Sequence, residues 1–416
     1  MYEIYPYFTN DGSVGLYSQA DNDIYHSTYG ALTEAYEKFI LPADFENFFQ
    51  KKSEIKILDI CFGIGYNSKS FLNFIYNAQI DTDNNSKSKY IDKLYTDNAI
   101  CKKSLSNAIR NKNLKIYIKA IDTDKILAGL APFVICNKKN LPKNYKLPFN
   151  NEKIEKLLNK QIKNKIKFYE EINLILIMKI AEKSPEIFNT PEIFEILKSK
   201  KYEQFFAKNN ALLAEFYSSQ TGLYTPVKRL PAFLHNIYYR YISTSYKKAS
   251  KWLKLNDFNF DLKIGDARKE LLSDNNIYNF VFLDAFTPAK CPCLWTIDFF
   301  KLLYEHLDKD GMILTYSNSA AVRNAFINAG FSVGKIYTPS SDKFMGTIAV
   351  KNNALIKYEL SEYDLSLIKT KAGIFYRDEN LNAPNEAIIM SHQRDVQNSE
   401  LISSSKFIKE YNKNYK

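Results

Sequence analysis

Asp284 and Phe286 follow directly on the apolar run Phe280-Val281-Phe282-Leu283, whose length and composition predict a buried strand. Open α/β sheets bind their ligands beyond the carboxyl ends of the strands. A carboxylate at such a position accepts hydrogen bonds from an amine, and an aromatic ring walls or stacks on a planar group. The pair therefore predicts a site for chemistry on an amine.

A glycine-containing turn follows a second predicted strand. Residues 57–60 are apolar apart from Asp59, and they lead into a turn that contains Gly63 and Gly65. Glycines let a ligand approach the backbone, and the N-terminus of the helix after the turn favours a negative group. The third glycine of the dinucleotide fingerprint is absent, which disfavours a pyrophosphate cofactor. The turn predicts a nucleotide-type cofactor that faces a substrate held near Asp284.

Three aspartates, Asp122, Asp266 and Asp284, each end a predicted strand of one sheet. Carboxylates at this edge can accept hydrogen bonds from ribose hydroxyls, an adenine amino group and a substrate amine, respectively. Taken singly, Asp122 and Asp266 are equally well explained as helix N-caps or turn residues. Their occurrence together with the glycine turn favours a nucleoside site.

The order of predicted elements indicates an α/β fold. A β-hairpin around Asn10-Asp11-Gly12 comes first, followed by a helix over residues 33–40. Alternating strands and helices then predict a parallel sheet with helices on both faces. The predicted strands are 55–60, 114–121, 260–264, 280–283, 312–316 and 347–350, and the predicted helices are 68–76, 126–135, 297–306 and 320–329. A turn is expected at Asp310-Gly311, and a polar, irregular tail beyond Tyr358.

Composition divides the chain into five segments. An N-terminal hairpin and helix (1–54) precede the first part of the sheet domain (55–136), in which 77–113 is a low-complexity insertion rich in Asp, Asn, Ser and Lys. A mainly helical insertion (137–255) separates this part from the second part of the domain (256–358), and a tail (359–416) follows.

Charge and cysteine content indicate which partners and which cellular compartment to expect. Lys and Arg exceed Asp and Glu by 57 − 46 = 11, which attracts polyanions such as RNA, although an AT-rich genome explains the Lys surplus equally well. Five scattered cysteines, and the lack of an apolar N-terminal segment or a membrane-length apolar run, favour a reducing, cytoplasmic location without a membrane role. Cys291-Pro292-Cys293 lacks a second cysteine pair, so no metal site is predicted.

The sequence resembles a family, the S-adenosyl-L-methionine-dependent tRNA methyltransferases that complete 5-methylaminomethyl-2-thiouridine at the wobble position, known also as the methyltransferase half of bifunctional MnmC. The similar segments are 11–18, 25–35, 57–67, 282–296 and 311–331, and Tyr376-Arg377-Asp378 is similar to the tail of the stand-alone form. The resemblance covers both ends of the chain and leaves the middle unmatched.

The resemblance implies a seven-stranded class I, Rossmann-like methyltransferase sheet with an N-terminal β-hairpin and a helical insertion. It also implies S-adenosyl-L-methionine as cofactor and N-methylation of 5-aminomethyl-(2-thio)uridine in the anticodon loop of tRNA. The implied cofactor contacts are Asp59, Phe62, Gly63, Gly65, Asn67, Asp122, Asp266, Ala267 and Asp284. The implied catalytic residues are Asp284 and Phe286, and the implied substrate contacts are Tyr25, Ser27, Glu34, Phe286 and Pro288.

The sequence departs from the family at two positions. Cys61 stands where glycine is usual, and Ala285 replaces the glycine of the family's Asp-Gly-Phe motif. No second glycine-rich turn after a strand is visible, so the flavin-dependent half of bifunctional MnmC is not expected. A functional link is therefore implied to the enzymes that install the 5-aminomethyl group.

Two other functions stay open. An aminopropyltransferase or a small-molecule amine N-methyltransferase would share the sheet, the glycine turn and the acidic strand ends. A non-catalytic RNA-binding module would use the basic charge and would not bind S-adenosyl-L-methionine. Structural roles also stay open for single residues: Phe286 as core, Glu34 as a solvated helix residue, His26 as a hydrogen-bonded histidine, and Arg323 as the partner of a phosphate or of a neighbouring acid.

Overall fold

The computed structural model describes residues 3–19, 22–80, 109, 112–135, 147–158, 166–206 and 232–414. Most of the predicted insertion at 77–113 lies outside these residues. The strands are β1 (Tyr5–Phe8), β2 (Val14–Ser18), β3 (Asp23–Ile24), β4 (Glu54–Ile60), β5 (Lys115–Asp122), β6 (Asp257–Ile264), β7 (Tyr278–Leu283), β8 (Leu307–Thr315), β9 (Ser332–Thr338) and β10 (Lys343–Val350). The α-helices are α1 (Ala31–Ala35), α2 (Phe45–Lys51), α3 (Tyr66–Ile80), α4 (Lys125–Leu130), α5 (Glu152–Leu157), α6 (Glu170–Lys183), α7 (Pro191–Lys198), α8 (Ala232–Leu255), α9 (Ala267–Leu272), α10 (Ile297–His306), α11 (Ala320–Asn328), α12 (Glu362–Ile368), α13 (Asn385–Asn398) and α14 (Ser404–Asn414).

The central sheet has seven strands in the order β6-β5-β4-β7-β8-β10-β9. The first five of these are parallel neighbours, so their carboxyl ends meet at one edge. Ile60 of β4 lies opposite Leu283 of β7, and Asp122 of β5 lies opposite Ile264 of β6. The glycine turn therefore starts beside Asp284, as expected from the sequence, because strand register fixes which loops are neighbours.

Alternate residues of the central strands pack into two different core layers. Phe280 and Phe282 of β7 face the layer that contains α2 and the N-terminal elements, whereas Val281 and Leu283 face the layer that contains α10 and α11. Burial of both faces explains why β7 is apolar throughout instead of alternating. This double burial holds the strand ends in place at the edge where the predicted site lies.

The N-terminal hairpin is confirmed around Asn10-Asp11-Gly12, and β3 extends it to three strands. The side chain of Asp11 organises the following turn. It accepts hydrogen bonds from the backbone N–H groups of Ser13 and Thr33, at 2.9 Å each. The carboxylate thereby ties the hairpin to α1, which is continued by a π-helical turn, Tyr36–Ile40.

Several details of the sequence prediction are wrong. The sheet is mixed, because β10 runs antiparallel to both β8 and β9, and β9 was not predicted. Strand β8 runs through Asp310-Gly311, where a turn was expected. The predicted helix at 126–135 ends as α4 at Leu130 and continues as a short 3₁₀ turn that contains Pro132, which cannot donate the next helical hydrogen bond.

The tail beyond Tyr358 is helical, not irregular. Helices α12, α13 and α14 lie there, and α12 begins with a capping box between Ser361 and Asp364. Ile388 is the buried residue of α13, and α12 has none, so these two helices pack few apolar side chains against the core. Within the described ranges, none of the helices combines the length and apolarity needed to cross a bilayer.

Candidate functional site at the carboxyl edge of the sheet

Asp284 lies at the centre of the carboxyl edge, in a loop held by three side chains. Asn67 Nδ2 donates a 3.0 Å hydrogen bond to Asp284 Oδ2. The Tyr316 hydroxyl donates to the Ala285 carbonyl at 2.8 Å, and Trp295 Nε1 donates to the Phe286 carbonyl at 2.7 Å. The loop thus presents its carboxylate from a fixed backbone, which is the geometry that a substrate-positioning group requires.

Burial raises the pKa of Asp284 to about 6, and the Glu34 carboxylate acts in the same direction. Asn67 and the Lys38 ammonium act against this rise. At neutral pH the carboxyl is therefore mainly ionised and able to accept hydrogen bonds from an amine. The structure brings Asp284, Asn67 and Glu34 together at this edge.

The glycine turn after β4 has three residues with positive φ. They are Cys61 at 64°, Gly63 at 53° and Gly65 at 77°. A Cβ at Gly65 would lie 2.7 Å from the Phe62 ring, so this position requires glycine on steric grounds too. Phe62 is buried and packs against Phe260, which makes it a support of the turn. Cys61 occupies a backbone conformation that glycine adopts without strain.

Asp59 is buried in the last part of β4. Its Oδ2 accepts hydrogen bonds from the Ser68 hydroxyl at 2.5 Å and from the Ser68 N–H at 3.2 Å, both at the start of α3. Its Oδ1 has no hydrogen-bond partner within the described part of the chain. Burial raises the pKa of Asp59 to about 7, with the charges of Asp284 and Asp122 adding to the rise. A hydrogen-bond donor of a ligand could supply the partner that Asp59 Oδ1 lacks.

Asp122 faces the turn from the end of β5. Its Oδ2 accepts a 2.6 Å hydrogen bond from the Gly63 N–H, and its Oδ1 accepts one from the Asp124 N–H at 2.8 Å. Burial raises the pKa of Asp122 to about 6. The residue remains half-buried, so both oxygens keep lone pairs for hydroxyl donors.

Asp266 is already bound by Arg268 through two kinds of contact. It caps α9 by accepting from the Arg268 N–H at 2.9 Å, and it forms an ion pair with the Arg268 guanidinium at 2.7 Å. Burial opposes ionisation, but Arg268 outweighs it and lowers the pKa of Asp266. The side chain keeps about a quarter of its exposure, and Ala267 beside it is buried. Arg268 was not predicted as a site residue.

Glu34 and Tyr25 approach the Asp284 loop from the N-terminal segment. The Tyr25 and Phe286 rings lie with centroids 4.9 Å apart, so Phe286 faces another aromatic ring at the site. Glu34 accepts from Lys38 Nζ at 2.5 Å and from the Ser27 N–H at 3.1 Å. Burial opposes ionisation of Glu34, but Lys38 and Ser27 outweigh it and lower the pKa of the carboxyl.

Lys38 is a site residue that the sequence did not reveal. It is buried, and its Nζ lies 5.7 Å from the centroid of the Tyr316 ring, whose hydroxyl holds the Ala285 carbonyl. A helical lysine four residues after a glutamate ordinarily predicts a surface ion pair, so its sequence position carried no functional signal. The pair instead lies next to the loop of Asp284.

Three other predicted residues have plain structural surroundings. His26 is packed edge-on against Tyr66, and burial lowers its pKa to about 4. Its Nε2 has no hydrogen-bond partner among the described residues, so the hydrogen bond expected from the sequence is missing at this nitrogen. Arg323 pairs with the neighbouring acid Asp364 at 2.9 Å, which decides between its two predicted partners. Pro288 lies partly exposed beyond the Asp284 loop.

A cavity of about 550 Å³ opens beside Tyr25. The N-terminal sheet and the segment after β5 enclose it; among its lining residues are Tyr5, Tyr17, Tyr25, Asp124 and Leu127. Tyr25 lines this cavity and also contacts the Phe286 ring. Its aromatic lining suits planar ligands.

The Cys291 and Cys293 thiols lie 3.7 Å apart. Across the ranges that the structure describes, no group of three or more His, Cys, Asp or Glu side chains is arranged to hold a metal ion.

The turn fits a nucleoside cofactor with a charged amino-acid end on three grounds. A Cβ at Gly63 would meet only the Cys61 carbonyl, at 4.0 Å, so space is open beside the backbone. Asp59 Oδ1 lacks a partner among the described residues, and Asp122 is half-buried at the same edge. Acceptors for an ammonium group and for ribose hydroxyls therefore lie around one open turn.

Residues 229–352 match the family described as S-adenosyl-L-methionine-dependent methyltransferases. Curated relatives include bifunctional MnmC proteins, the tRNA 5-methylaminomethyl-2-thiouridine biosynthesis proteins; that of Burkholderia vietnamiensis is 36% identical over 75 residues, 18% of this chain and 12% of the relative. The chain is therefore similar to S-adenosyl-L-methionine-dependent methyltransferases over residues 229–352, and to the MnmC proteins over a shorter segment.

Three further proteins are similar to this chain. An uncharacterised protein of Methanocaldococcus jannaschii is 31% identical over 153 residues, 36% of this chain and 43% of the relative. The match therefore spans less than half of the length of this first relative. The structure of MnmC2 from Aquifex aeolicus covers 95% of this chain and 86% of its own, with a TM-score of 0.53 at 19% identity, which confirms the fold. A polyamine aminopropyltransferase of a Thermoanaerobacter species is 27% identical over 133 residues, 30% of this chain and 48% of the relative.

The family match includes Asp266 and Asp284 but begins after the glycine turn and the Glu34 segment. Roles for the glycine turn and for Glu34 consequently depend on the geometry of the site.

Proposed function

We propose that this MnmC-like methyltransferase N-methylates 5-aminomethyluridine, with or without 2-thiolation, at the wobble position of tRNA. The observation that carries the proposal is the Asp284 carboxylate, fixed by Asn67 at 3.0 Å, beside the Phe286–Tyr25 ring pair and next to the glycine turn. An acceptor for an alkylamine and an aromatic contact for a pyrimidine thus lie side by side at the cofactor edge.

S-adenosyl-L-methionine, when bound, supplies an electrophilic methyl group. Asp59, Phe62, Gly63, Gly65 and Asn67 would form the methionine side of its site. Asp122 would accept from the ribose hydroxyls, and Asp266 with the Ala267 backbone would meet the adenine. Each of these residues lies at the carboxyl edge of β4, β5 or β6, or at the start of the helix that follows.

Asp284 would orient the amine by accepting its N–H groups, which leaves the nitrogen lone pair directed at the cofactor. The same carboxylate offsets the positive charge that develops on nitrogen as the new bond forms. Solvent can remove the proton of the starting ammonium before it docks, so no stronger base is needed. Phe286 and Tyr25 would hold the uracil ring, and Ser27 and Pro288 would border it.

The Glu34–Lys38 pair would set the charge of the amine pocket. Lys38 Nζ lies 2.5 Å from Glu34 Oε1 and compensates the charge of that carboxylate. Among Glu34, Lys38 and Asp284, the net negative charge is then that of Asp284. Two uncompensated carboxylates would retain the amine as ammonium, which has no lone pair to react. Lys38 therefore favours docking of the neutral amine.

The basic charge of +11 supports an RNA substrate by attraction of phosphates, and the helical insertion 137–255 offers lysines for such contact. We propose the cytoplasm as the location, where tRNA and the enzymes that install the 5-aminomethyl group would be available. The anticodon loop would present its nucleotide to the edge that carries Asp284.

The proposal is tested with tRNA from cells that lack this modification and carry 5-aminomethyluridine. The protein is incubated with this tRNA and methyl-labelled S-adenosyl-L-methionine, and the nucleosides are analysed. We expect labelled 5-methylaminomethyluridine, and no further label in tRNA that is already methylated. Label that is absent from the wobble nucleoside would contradict the proposal.

An aminopropyltransferase is the second candidate, favoured by the 27% identity to polyamine aminopropyltransferases. Such an enzyme transfers an aminopropyl group from a decarboxylated cofactor to a diamine. Neutralisation of Glu34 by Lys38 counts against it, because a diamine site needs several free carboxylates. Incubation with putrescine and the decarboxylated cofactor separates the two functions, and we expect no polyamine product.

A further inference from the structure

The C-terminal segment around Asp378 is bound to the N-terminal end of α10 and to Thr296, the residue before it. The Ile297 N–H donates to the Tyr376 carbonyl at 3.1 Å, and the Asp378 N–H donates to Asp298 Oδ2 at 2.7 Å. Thr296 and Tyr376 also form a bridge of parallel β type. This segment lies beyond the family match, which ends at residue 352, and the contacts bring it against the site.

Arg268 links this segment to the predicted adenine contact. One edge of its guanidinium group binds Asp266, with Nη2 donating to Oδ2 at 2.7 Å and Nε donating to Oδ1 at 3.1 Å. Its Nη1 donates to Asp378 Oδ2 at 2.6 Å and to the Ala383 carbonyl at 2.9 Å. The side chains of Arg268 and Asp378 keep 8% and 2% of their exposure, whereas Asp266 keeps 26%. The buried arginine therefore joins a buried acid to one that faces the edge of the sheet.

Asp378 is itself fixed on its other oxygen. Its Oδ1 accepts from the backbone N–H groups of Asn382 at 3.2 Å and Ala383 at 3.1 Å. The Asp378 carboxylate therefore has little conformational freedom. It in turn restricts the planar guanidinium of Arg268, a group that binds a carboxylate through two parallel hydrogen bonds. Without the Asp378 carboxylate, Nη1 of the buried Arg268 would lose a charged hydrogen-bond acceptor, and the guanidinium would reorient toward another acceptor.

We propose that Asp378 and Arg268 are positioning residues for the cofactor, and that the C-terminal segment thereby forms part of the cofactor site. Asp378 fixes Arg268, and Arg268 fixes the Asp266 carboxylate in the orientation that receives the adenine amino group. The inference rests on the assignment of Asp266 to the adenine in the proposed function. Neither residue needs to touch the cofactor.

The chain offers a matched control for simple anchoring of the tail. Arg323 and Asp364 form a second Arg–Asp pair between the core and the C-terminal segment, at 2.9 Å and with 6% and 16% exposure. The other partners of Arg323 are Thr347, Asn318 and the Gly346 carbonyl, on the β10 side of the sheet. Loss of this pair weakens tail docking without touching Asp266.

The experiment is calorimetric titration of the full chain with S-adenosyl-L-methionine, accompanied by thermal unfolding of each variant. We expect Asp378→Asn to weaken binding about tenfold, as loss of a residue that orients a ligand-binding group does. Arg268→Lys keeps the charge, loses the fork, and should weaken binding similarly. Asp364→Asn should lower the melting temperature yet bind within about twofold of wild type.

A double-mutant cycle with Asp266→Asn completes the test. If Asp378 acts through Asp266, the double variant should bind no more weakly than Asp266→Asn alone. Wild-type affinity in Asp378→Asn, equal weakening by Asp364→Asn, or fully additive losses would overturn the proposal. The titration contains no RNA, so its outcome is independent of whether the wobble uridine is the substrate.

Discussion

Replacement of Asn67 by alanine should move the pH dependence of methyl transfer. Asn67 donates one hydrogen bond to Asp284 at 3.0 Å, and this bond stabilises the ionised carboxylate. Removal of the donor leaves burial and the Glu34 charge, which favour the protonated form, opposed by the Lys38 ammonium alone. The pKa of Asp284, about 6 in the intact protein, should therefore rise.

The size of the shift follows from the hydrogen bond. A hydrogen bond to a charged group contributes about 1.5–3 kcal/mol, and one pKa unit corresponds to about 1.4 kcal/mol. Water that enters the vacated space recovers part of this energy, so we expect a rise of about one unit, to about 7. The ionised fraction would then fall at pH 6 from about one half to about one tenth. At pH 8 it would fall only slightly.

The assay is kcat/KM for 5-aminomethyl-tRNA between pH 5 and 9, at saturating cofactor. The acid limb should lie near pH 6 for wild type and near pH 7 for Asn67→Ala, whereas the limb due to the amine itself stays in place. Asn73→Ala is the matched control, because Asn73 is a buried asparagine of the same helix that binds Tyr36 and the Lys167 carbonyl instead. An acid limb that stays near pH 6 in Asn67→Ala, or that moves equally in Asn73→Ala, would refute the reasoning.

Three further predictions concern the turn and the loop. Burial raises the pKa of Asp59 from 3.8 to about 7, so the carboxyl stabilises the folded state below about pH 4 and loses that contribution as the pH rises to 7. Asp59→Asn should therefore reduce the change in the free energy of unfolding between pH 5 and 7 by about 2 kcal/mol, and an unchanged dependence on pH would contradict this. Cys61 has a φ of 64°, so Cys61→Gly should stabilise the protein by about 1 kcal/mol in chemical denaturation, whereas Cys61→Ala should not; equal effects of the two would remove backbone strain as the cause. Trp295→Phe removes the 2.7 Å bond to the Phe286 carbonyl and should lower kcat about tenfold with cofactor affinity unchanged, whereas weaker cofactor binding with normal kcat would assign Trp295 elsewhere.

The sheet edge could be predicted because its signals are local. Strand β7 is recognisable from its apolar run, which burial on both faces of the sheet requires. The positions of Asp122, Asp266 and Asp284 follow from where the predicted strands end. Register then places Asp284 beside the glycine turn without further information. The N-terminal hairpin was equally visible, because Asn10-Asp11-Gly12 encodes its turn.

The missed features depend on contacts between distant parts of the chain. Lys38 resembles any surface lysine paired with a glutamate four residues before it, and only the fold places it under Tyr316. Arg268 is joined to Asp378 across 110 residues, a pairing that no local pattern encodes. Strand β9 lacks regular alternation, and its neighbour β10 is an antiparallel partner that a repeating parallel pattern does not predict.

The most direct test of the central claim compares wild type and Asp284→Asn at saturating S-adenosyl-L-methionine with 5-aminomethyl-tRNA as acceptor. If the Asp284 carboxylate holds the reacting amine, kcat should fall on the order of 100-fold while the dissociation constant of the cofactor changes less than about threefold. An Asp284→Asn variant that methylates the wobble nucleoside at the wild-type rate would contradict the account.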